Sequence, residues 1–338
     1  MANTADTTAQ RRILANIPWT PLALFSALII LTFLISPNFF QVANITNVLR
    51  SSAIVGVVAV GMTFVILTAG IDLSVGSTVG LTAIASALLI NQGLPVPLVL
   101  LLLLLIGAVV GAINGFIIAI LGIQPFIATL AALVAIRGLG LRITAGTPQQ
   151  FIGQGFLFDF FGSGGIGPVP GPLIVFAVLA LIGWCVLRYM PFGRYIYAVG
   201  GSREAARLSG VKTRRVILMA YVISSMCAAV AGWMTAARLS TAEPTAGTLL
   251  ELDAITAVVI GGTSLMGGIG GIGGTVAGAL LLAVIANVMN LMGISPFDQQ
   301  IVRGIVIIIA VILTSTAIVD RIRSRMSQRS KEGNPGAT

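Results

Sequence analysis

The sequence predicts an all-α protein, a polytopic bundle of about ten transmembrane helices, with residues 1–338 forming a single transmembrane domain. Hydrophobic residues make up 57% of the chain and charged residues only 9%, whereas soluble domains carry about 25% charged residues. Between Arg12 and Asp72 the only charged residue is Arg50, and residues 73–136 contain none. Such intervals are long enough for several spans of about 20 apolar residues each.

Ten apolar segments along the chain are long enough to be considered as spans. They lie at 20–39, 52–69, 74–91, 96–121, 125–143, 171–188, 216–238, 252–268, 275–292 and 300–319. The first is too long for the apolar core of a signal peptide, so we interpret it as a span. Glycines crowd the end of the eighth, which is typical either of close helix packing or of a broken helix that lines a cavity.

The basic residues predict the orientation of the bundle. Of the 19 Lys and Arg residues, fourteen lie at Arg11–Arg12, within 188–215 and within 321–331. Because cytoplasmic segments of membrane proteins are enriched in Lys and Arg, we expect a cytoplasmic N-terminal segment at 1–19, a cytoplasmic loop at 189–215 and a cytoplasmic tail at 320–338. This clustering favours anionic membrane lipid over nucleic acid as the partner of the charges.

Residue types argue against catalysis on this chain. It has two cysteines and no histidine, so neither a metal centre nor a histidine proton relay is expected. The sequence contains no paired carboxylates arranged for acid–base chemistry, no nucleophile–base pattern and no Walker-type phosphate loop. We therefore expect a protein that is not an enzyme and that carries no cofactor of its own.

A short pattern recurs in the two halves of the chain. Thr68-Ala69-Gly70 precedes the turn at 122–126 by about the distance that separates Thr245-Ala246-Gly247 from the turn at 293–297. An inverted repeat and chance recurrence both remain open, since Thr-Ala-Gly also occurs at 144–146. The Phe-rich segment 144–170, expected on the external side, either folds back onto the bundle or docks an external partner.

The basic loop contains the signals of a short helix at 203–209. Ser202 suits the N-cap position, Glu204 lies in the first turn where the helix dipole favours negative charge, and Gly210 can adopt the left-handed conformation that ends a helix. Ala205 and Ala206 are expected to form a small face for close approach. These features fit either a solvated connector or an element that docks a soluble motor.

Charged and hydroxyl residues beside the spans are candidates for the transport path and for docking. An acid flanked by apolar spans usually faces the bundle interior or a cavity, so Asp72 either caps the following helix or lines the path. The candidate path residues are Thr68, Asp72, Ser74 and Ser77. Glu243, Glu251 and Asp253 are candidate residues for docking an external protein, and they alternatively pair with Arg238. Arg137 and Arg303 either extend to the interface or pair with a buried acid such as Asp72.

Longer motifs resemble a known family. Glu204-Ala205-Ala206-x3-Gly210 is similar to the E-A-A-x3-G loop of bacterial ABC importer permeases. Segments 61–77, 125–130, 193–201 and 250–264 resemble the ribose-type branch of those permeases, in the same order. The resemblance covers about residues 40–318. The hydrophobic-Pro ending that other branches carry after this loop is absent after Gly210.

The resemblance implies a permease subunit of the bacterial inner membrane that moves a monosaccharide, ribose-like, from periplasm to cytoplasm. Its implied partners are a second copy or a similar permease, a periplasmic sugar-binding protein, and a separate ATPase that binds ATP and Mg. The implied ATPase-coupling residues are Arg203, Glu204, Ala205, Ala206 and Gly210. An ion-driven secondary sugar transporter is the alternative, because inverted repeats and broken helices also occur there. Pentose, hexose, inositol and other polyols are all compatible as substrates.

Overall fold

A computed structural model describes residues 37–151 and 155–314. After a 3₁₀ turn at Pro37–Phe40, its helices follow in chain order: α1 Val42–Leu67, α2 Val75–Asn91, α3 Val96–Ala119, α4 Pro125–Thr144, α5 Phe156–Phe161, α6 Gly171–Tyr189, α7 Pro191–Gly201, α8 Arg203–Leu208, α9 Thr213–Leu239, α10 Leu250–Ile260, α11 Ile272–Leu291 and α12 Pro296–Thr314. Most of the first predicted span, the N-terminal segment 1–19 and the tail 320–338 lie outside the described residues.

Six of these helices are long and apolar enough to cross a membrane: α1, α3, α4, α6, α9 and α11. The all-α membrane class is thereby confirmed. Helix α2 has 17 residues and α10 has 11, and they lie at the predicted spans 74–91 and 252–268. The count of ten spans and the cytoplasmic placement of the termini stay predictions.

Helix α9 forms the centre of the bundle and packs against α1, α2 and α3. Its contact with α3 is close because Gly107, Gly111 and Gly115 line one face of α3 against the α9 backbone. A Cβ added at Gly111 would lie 2.4 Å from the carbonyl oxygen of Tyr221. Small residues allow such approach in membrane bundles, where association depends on packing rather than on the hydrophobic effect.

Helix α1 begins at Val42, ten residues before the predicted start at 52. The prediction placed the boundary late because residues 44–51 are rich in polar side chains. In the structure these side chains have partners on other helices. Asn44 and Asn287 exchange two hydrogen bonds, with nitrogen-to-oxygen distances of 2.9 and 2.7 Å. Polar groups satisfied in this way are compatible with a buried helical turn.

Helix α10 stops at Ile260, eight residues before the predicted end of the eighth span. The glycine segment, residues 261–271, follows without a regular helix. Four of its glycines have positive φ, namely Gly262, Gly267, Gly268 and Gly270, a conformation that other residues adopt only with strain. The structure shows both a break in the helix after Ile260 and close packing, since a Cβ added at Gly261 would overlap the Gly274 carbonyl oxygen and one at Gly267 would lie 2.8 Å from the Ala69 backbone nitrogen. That the break lines a cavity stays a prediction.

The described residues of the Phe-rich segment 144–170 fold back onto the bundle. Strand β1 (Gln149–Gln150) pairs antiparallel with β4 (Thr241–Ala242), and β2 (Gly165–Ile166) pairs with β3 (Val169–Pro170). Phe158 of α5 is buried, and its ring centroid lies 5.6 Å from that of Trp233 in an edge-on contact. The two turns of the suggested repeat are locally alike, since Gly122 and Gly293 both have positive φ before a proline-initiated helix. The repeat as a whole stays a prediction.

Candidate functional site

The predicted helix in the basic loop is confirmed as α8. Ser202 is its N-cap, and the Ser202 hydroxyl oxygen accepts a hydrogen bond from the Ala205 backbone N–H at 3.3 Å. Gly210 follows the helix with φ of +83°, and its N–H donates to the Arg207 carbonyl oxygen at 3.0 Å. Because both ends are specified by local hydrogen bonds, this element forms where the sequence indicates.

The expected small face of α8 is divided in the structure. Ala206 is buried at 5% exposure against the bundle, whereas Ala205 is exposed. Ala206 therefore anchors α8, and only Ala205 is available to a partner. The exposed surface also includes Leu208, at 74% exposure, which the sequence analysis did not select. In the sequence, Leu208 could have been identified as the one large apolar side chain in a short helix of charged residues and alanines.

Glu204 and Arg207 form an ion pair on this exposed surface, with a nitrogen-to-oxygen distance of 2.6 Å. The hydrogen bond from Arg207, together with its positive charge, lowers the pKa of Glu204. Glu204 is therefore ionised at neutral pH. The surface of α8 presents a paired negative and positive charge beside two apolar side chains.

Helix α7 connects α8 to the core of the bundle. The N–H of Gly268 donates to the carbonyl oxygen of Leu67 at 3.0 Å, and Gly200 lies so close to both that a side chain there would clash. The Tyr197 hydroxyl donates to the carbonyl oxygen of Gly270 at 2.9 Å. The end of α1, the end of α7 and the glycine segment thus meet at one point directly next to α8.

A cavity of about 380 Å³ lies beside this junction. Its lining includes Thr68, Arg203 and Tyr221, with the turn at 122–125 forming another wall. The cavity brings one candidate path residue, Thr68, together with one candidate coupling residue, Arg203. A movement of α8 would change the shape of this cavity.

Asp72 is fully buried in the break between α1 and α2. Its carboxylate accepts hydrogen bonds from the Ser74 backbone N–H at 3.0 Å, the Ser74 hydroxyl at 2.6 Å and the Ser224 hydroxyl at 3.0 Å. Ser74 also accepts from the Asn114 amide nitrogen at 2.8 Å. The bonded N–H is that of Ser74, the residue before α2, and no side chain among the described residues caps the first turn of α2. The carboxylate instead fixes the turn that leads into α2 and connects it to α9 through Ser224, while Asn114 connects Ser74 to α3.

The other candidate path residues belong to the same buried region. The Ser77 hydroxyl donates to the carbonyl oxygen of Ser74 at 2.9 Å, and Ser77 is 1% exposed. Asp72 and Ser74 have no exposed surface. These residues reach a substrate only if the bundle opens. Asn114 was missed by the sequence analysis, although a lone amide in the apolar α3 was a usable signal.

Of the three acids expected to dock an external protein, only Glu243 is exposed without an ion pair among the described residues. Glu251 is buried, with its carboxylate against Gly76 of α2. Asp253 pairs with Arg303 at 3.0 Å. Of these candidates, only Glu243 is placed to meet an external partner, because the other two carboxylates are buried or paired. The docking role itself stays a prediction.

The membrane arginines find partners other than Asp72. Arg137 donates to the carbonyl oxygens of Pro244 and Ala246 at 2.6 and 2.8 Å. Arg238 donates to Asn47 at 2.7 Å and to Ser51 at 3.1 Å. The expected pairing of Arg238 with the outer acids is wrong among the described residues. Backbone, amide and hydroxyl oxygens accept hydrogen bonds from these guanidinium groups instead.

No group of three potential metal ligands occurs in residues 37–151 and 155–314.

Comparison with known proteins gives relatives that align along most of the chain. The ribose import permease protein RbsC of Haemophilus influenzae is 44% identical over 293 residues, covering 85% of this chain and 91% of that protein. The protein of the same name in Bacillus subtilis is 45% identical over 286 residues, covering 85% and 89%. The xylose transport system permease protein XylH of Escherichia coli is 34% identical over 353 residues, covering 87% and 90%.

No solved structure matches this chain. A family model described as branched-chain amino acid transport system / permease component matches residues 44–311. The match includes α2 to α11 and all but the ends of α1 and α12, and therefore the buried break at Asp72, helix α8 and the glycine segment. The chain belongs to this family of transport system permease components.

Proposed function

We propose that this chain is the membrane-spanning permease subunit of an ATP-driven importer that carries a monosaccharide, ribose or a close analogue, across the bacterial inner membrane. The observation that carries the proposal is identity of 43–45% to ribose import permeases over 85% of the chain. The six long apolar helices and the bacterial permease relatives support a multi-pass inner-membrane protein.

The ATPase docks on α8 in this proposal. The exposed side of α8 offers Ala205, Leu208 and the Glu204–Arg207 pair, a small apolar patch flanked by charge that suits a groove in a soluble protein. ATP and Mg bind to the partner ATPase. This chain contributes the docking surface and the helices that move.

Motion passes from α8 to the bundle through the junction of α7, α1 and the glycine segment. Ala206 holds α8 against the bundle, and the hydrogen bond between Gly268 and Leu67 joins the break after α1 to the broken α10. Helix termini and loops of this kind absorb the backbone changes of a hinge. Closure of the ATPase pair on two permease copies would then open or close the path beside Asp72.

Co-purification tests the docking surface. The tagged chain is extracted from its native membrane in mild detergent, and stoichiometric partners are identified by mass spectrometry. We expect an ATPase to accompany the wild type and to be lost from Leu208→Glu, which places a charge on the exposed patch. Arg214→Glu, an exposed change in the same loop outside α8, is the matched control and should retain the ATPase.

The alternative transporter class has its own signature. If the purified chain carried no ATPase and supported sugar uptake in ATP-free vesicles under an ion gradient, the importer proposal would be replaced by the ion-driven one.

Charge reversal at Glu243 tests the binding-protein partner separately: we expect weaker stimulation of the ATPase by the sugar-loaded binding protein. Normal stimulation would remove Glu243 from that role.

A further inference from the structure

A polar pocket of about 220 Å³ lies between α1, α10, α11 and α12, in the half of the bundle that the topology predicts to be external. The sequence analysis did not select it. Its apolar walls are formed by Val, Leu, Ile, Ala and Met side chains. Its polar lining consists of Asn47, Ser51, Asp253, Thr256, Asn287, Asn290, Gln299 and Arg303.

Two amides of this pocket are oriented by their existing hydrogen bonds. The Gln299 side-chain nitrogen donates to the Asn290 Oδ1 at 2.8 Å and to the Ile294 carbonyl oxygen at 3.0 Å. The Gln299 Oε1 therefore remains as an acceptor. Because the Asn290 oxygen is already engaged, its Nδ2 remains as a donor with no acceptor among the described residues.

The opposite wall repeats this arrangement with different partners. Asn47 Oδ1 accepts from Arg238 at 2.7 Å, which leaves Asn47 Nδ2 as a donor. Asp253 Oδ2 accepts from Arg303 at 3.0 Å, which leaves Asp253 Oδ1 as an acceptor. The pocket thus offers two donors, on Asn47 and Asn290, and two acceptors, on Asp253 and Gln299, beside apolar side chains.

The Asp253–Arg303 pair also indicates that the pocket holds water or a polar ligand. Its side chains are 21% and 39% exposed, respectively, on a bundle whose other outer faces are rich in Leu, Ile and Val. Ionised side chains within membrane proteins face a cavity or the bundle interior rather than lipid, because burial of charge in hydrocarbon is costly. The position of this pair fits an open side of the pocket that faces water.

We propose that this pocket is a binding site for the polyol during its passage through the permease, an inference that rests on the proposed function. Each sugar hydroxyl both donates and accepts a hydrogen bond, which matches the donors of Asn47 and Asn290 and the acceptors of Asp253 and Gln299. The apolar floor receives the C–H face of the sugar ring, as in other small-molecule sites. The fully buried Asp72 cluster offers no comparable surface.

Transport by the complete importer, reconstituted in proteoliposomes with its ATPase and binding protein, tests the proposal. The probe is radiolabelled ribose, and the variants are Asn290→Leu and Gln299→Leu. We expect uptake to fall about tenfold in each, from loss of polar contacts to the sugar, while ATPase stimulation by the ribose-loaded binding protein changes less than about twofold. Gln300→Leu, an exposed neighbour of Gln299 outside the pocket, should behave as wild type.

A labelling experiment gives a second readout that does not depend on transport rate. In a Cys185→Ser, Cys227→Ser background, Asn290→Cys is allowed to react with a charged thiol reagent in the same importer. Added ribose should slow the reaction at least about threefold, since a sugar in the pocket covers the thiol. A non-carbohydrate osmolyte at the same concentration serves as the osmotic control.

The pocket inference and the ribose-importer function would be overturned by different results. If the wild-type importer takes up ribose but both leucine variants do so normally and ribose leaves labelling unchanged, the pocket is not on the path and the inference is overturned. If the wild type shows neither ribose uptake nor ribose-stimulated ATPase activity, the ribose-importer function is overturned as well.

Discussion

Substituting Gly111 by alanine probes the contact that holds the bundle together. Gly111 lies on α3 where that helix crosses α9, and an added Cβ would be 2.4 Å from the Tyr221 carbonyl oxygen and 2.6 Å from the Val222 Cα. Both contacted atoms belong to the backbone of α9, so no side-chain rotation relieves the overlap. The two helices must move apart.

The size of the effect follows from these distances. Ordinary contact begins at 3.4 Å, so the Cβ is about 1 Å too close to the oxygen. A radial gap of about 0.5–1 Å forfeits a quarter to a half of each dispersion contact, and such a gap would open at the neighbouring Gly107 and Gly115. Overpacking of this kind costs typically about 1–3 kcal/mol, and we expect the upper part of that range because the whole helix pair must adjust.

Thermal unfolding of the purified protein in detergent, followed by size-exclusion chromatography of the heated sample, measures the change. A loss of about 3 kcal/mol corresponds to a lowering of the midpoint on the order of 6 °C or more. Gly138→Ala is the matched control: it lies inside α4 with no atom within 4 Å of the added Cβ. That variant should gain up to about 1 kcal/mol from helix propensity.

The outcome that would refute the reasoning is equal stability of Gly111→Ala and Gly138→Ala. It would mean that α3 and α9 separate without cost, and that close packing through glycine does not hold the centre of the bundle. A lowered midpoint in both variants would instead point to a general sensitivity of the helices to alanine.

Two further predictions concern the buried carboxylate and the exposed ion pair. Asp72→Leu leaves the hydroxyls of Ser74 and Ser224 without their acceptor and should destabilise the protein by about 2–4 kcal/mol in detergent melts. Asp72→Asn should lose less stability, because one acceptor oxygen remains. If Asp72→Asn lost sugar uptake at unchanged stability, the result would favour a role in the path over a structural role. The lowered pKa of Glu204 means that its ion pair with Arg207 stabilises the fold at pH values above the ordinary carboxyl pKa, and that this stabilisation is lost as the pH falls through the folded-state pKa. Because exposed ion pairs contribute little, Glu204→Gln should leave the melting midpoint at pH 7 unchanged while it weakens co-purification of the ATPase. A large drop in the midpoint would contradict this expectation.

Local sequence was sufficient for the membrane class and for α8. Apolar segments of about 20 residues have few alternatives to helices in a bilayer, so nine of the twelve described helices overlap a predicted span, the exceptions being α5, α7 and α8. The Ser202 cap and the Gly210 turn are likewise local features, because their hydrogen bonds join residues only a few positions apart. These parts of the molecule were accessible without any knowledge of the packing.

Boundaries that depend on distant partners were not accessible in the same way. Helix α1 begins at Val42 because Asn44 finds Asn287, a residue 243 positions away. Helix α10 ends at Ile260 because the glycine segment turns to meet Leu67 and α7. Hydropathy records whether a residue is polar, but not whether its side chain finds a hydrogen-bond partner on another helix.

The sequence by itself determined a bundle of apolar helices, the short helix α8 in the basic loop and the family to which the chain belongs. Only the tertiary structure decided which way individual side chains face: Ala206 toward the bundle, Arg137 toward backbone carbonyls, and Asp253 toward Arg303 at the edge of a polar pocket. The physical reason is that hydrogen bonds and ion pairs are short-range. Their energy depends on atoms within about 3 Å, and those atoms come together only when helices distant in the chain pack side by side.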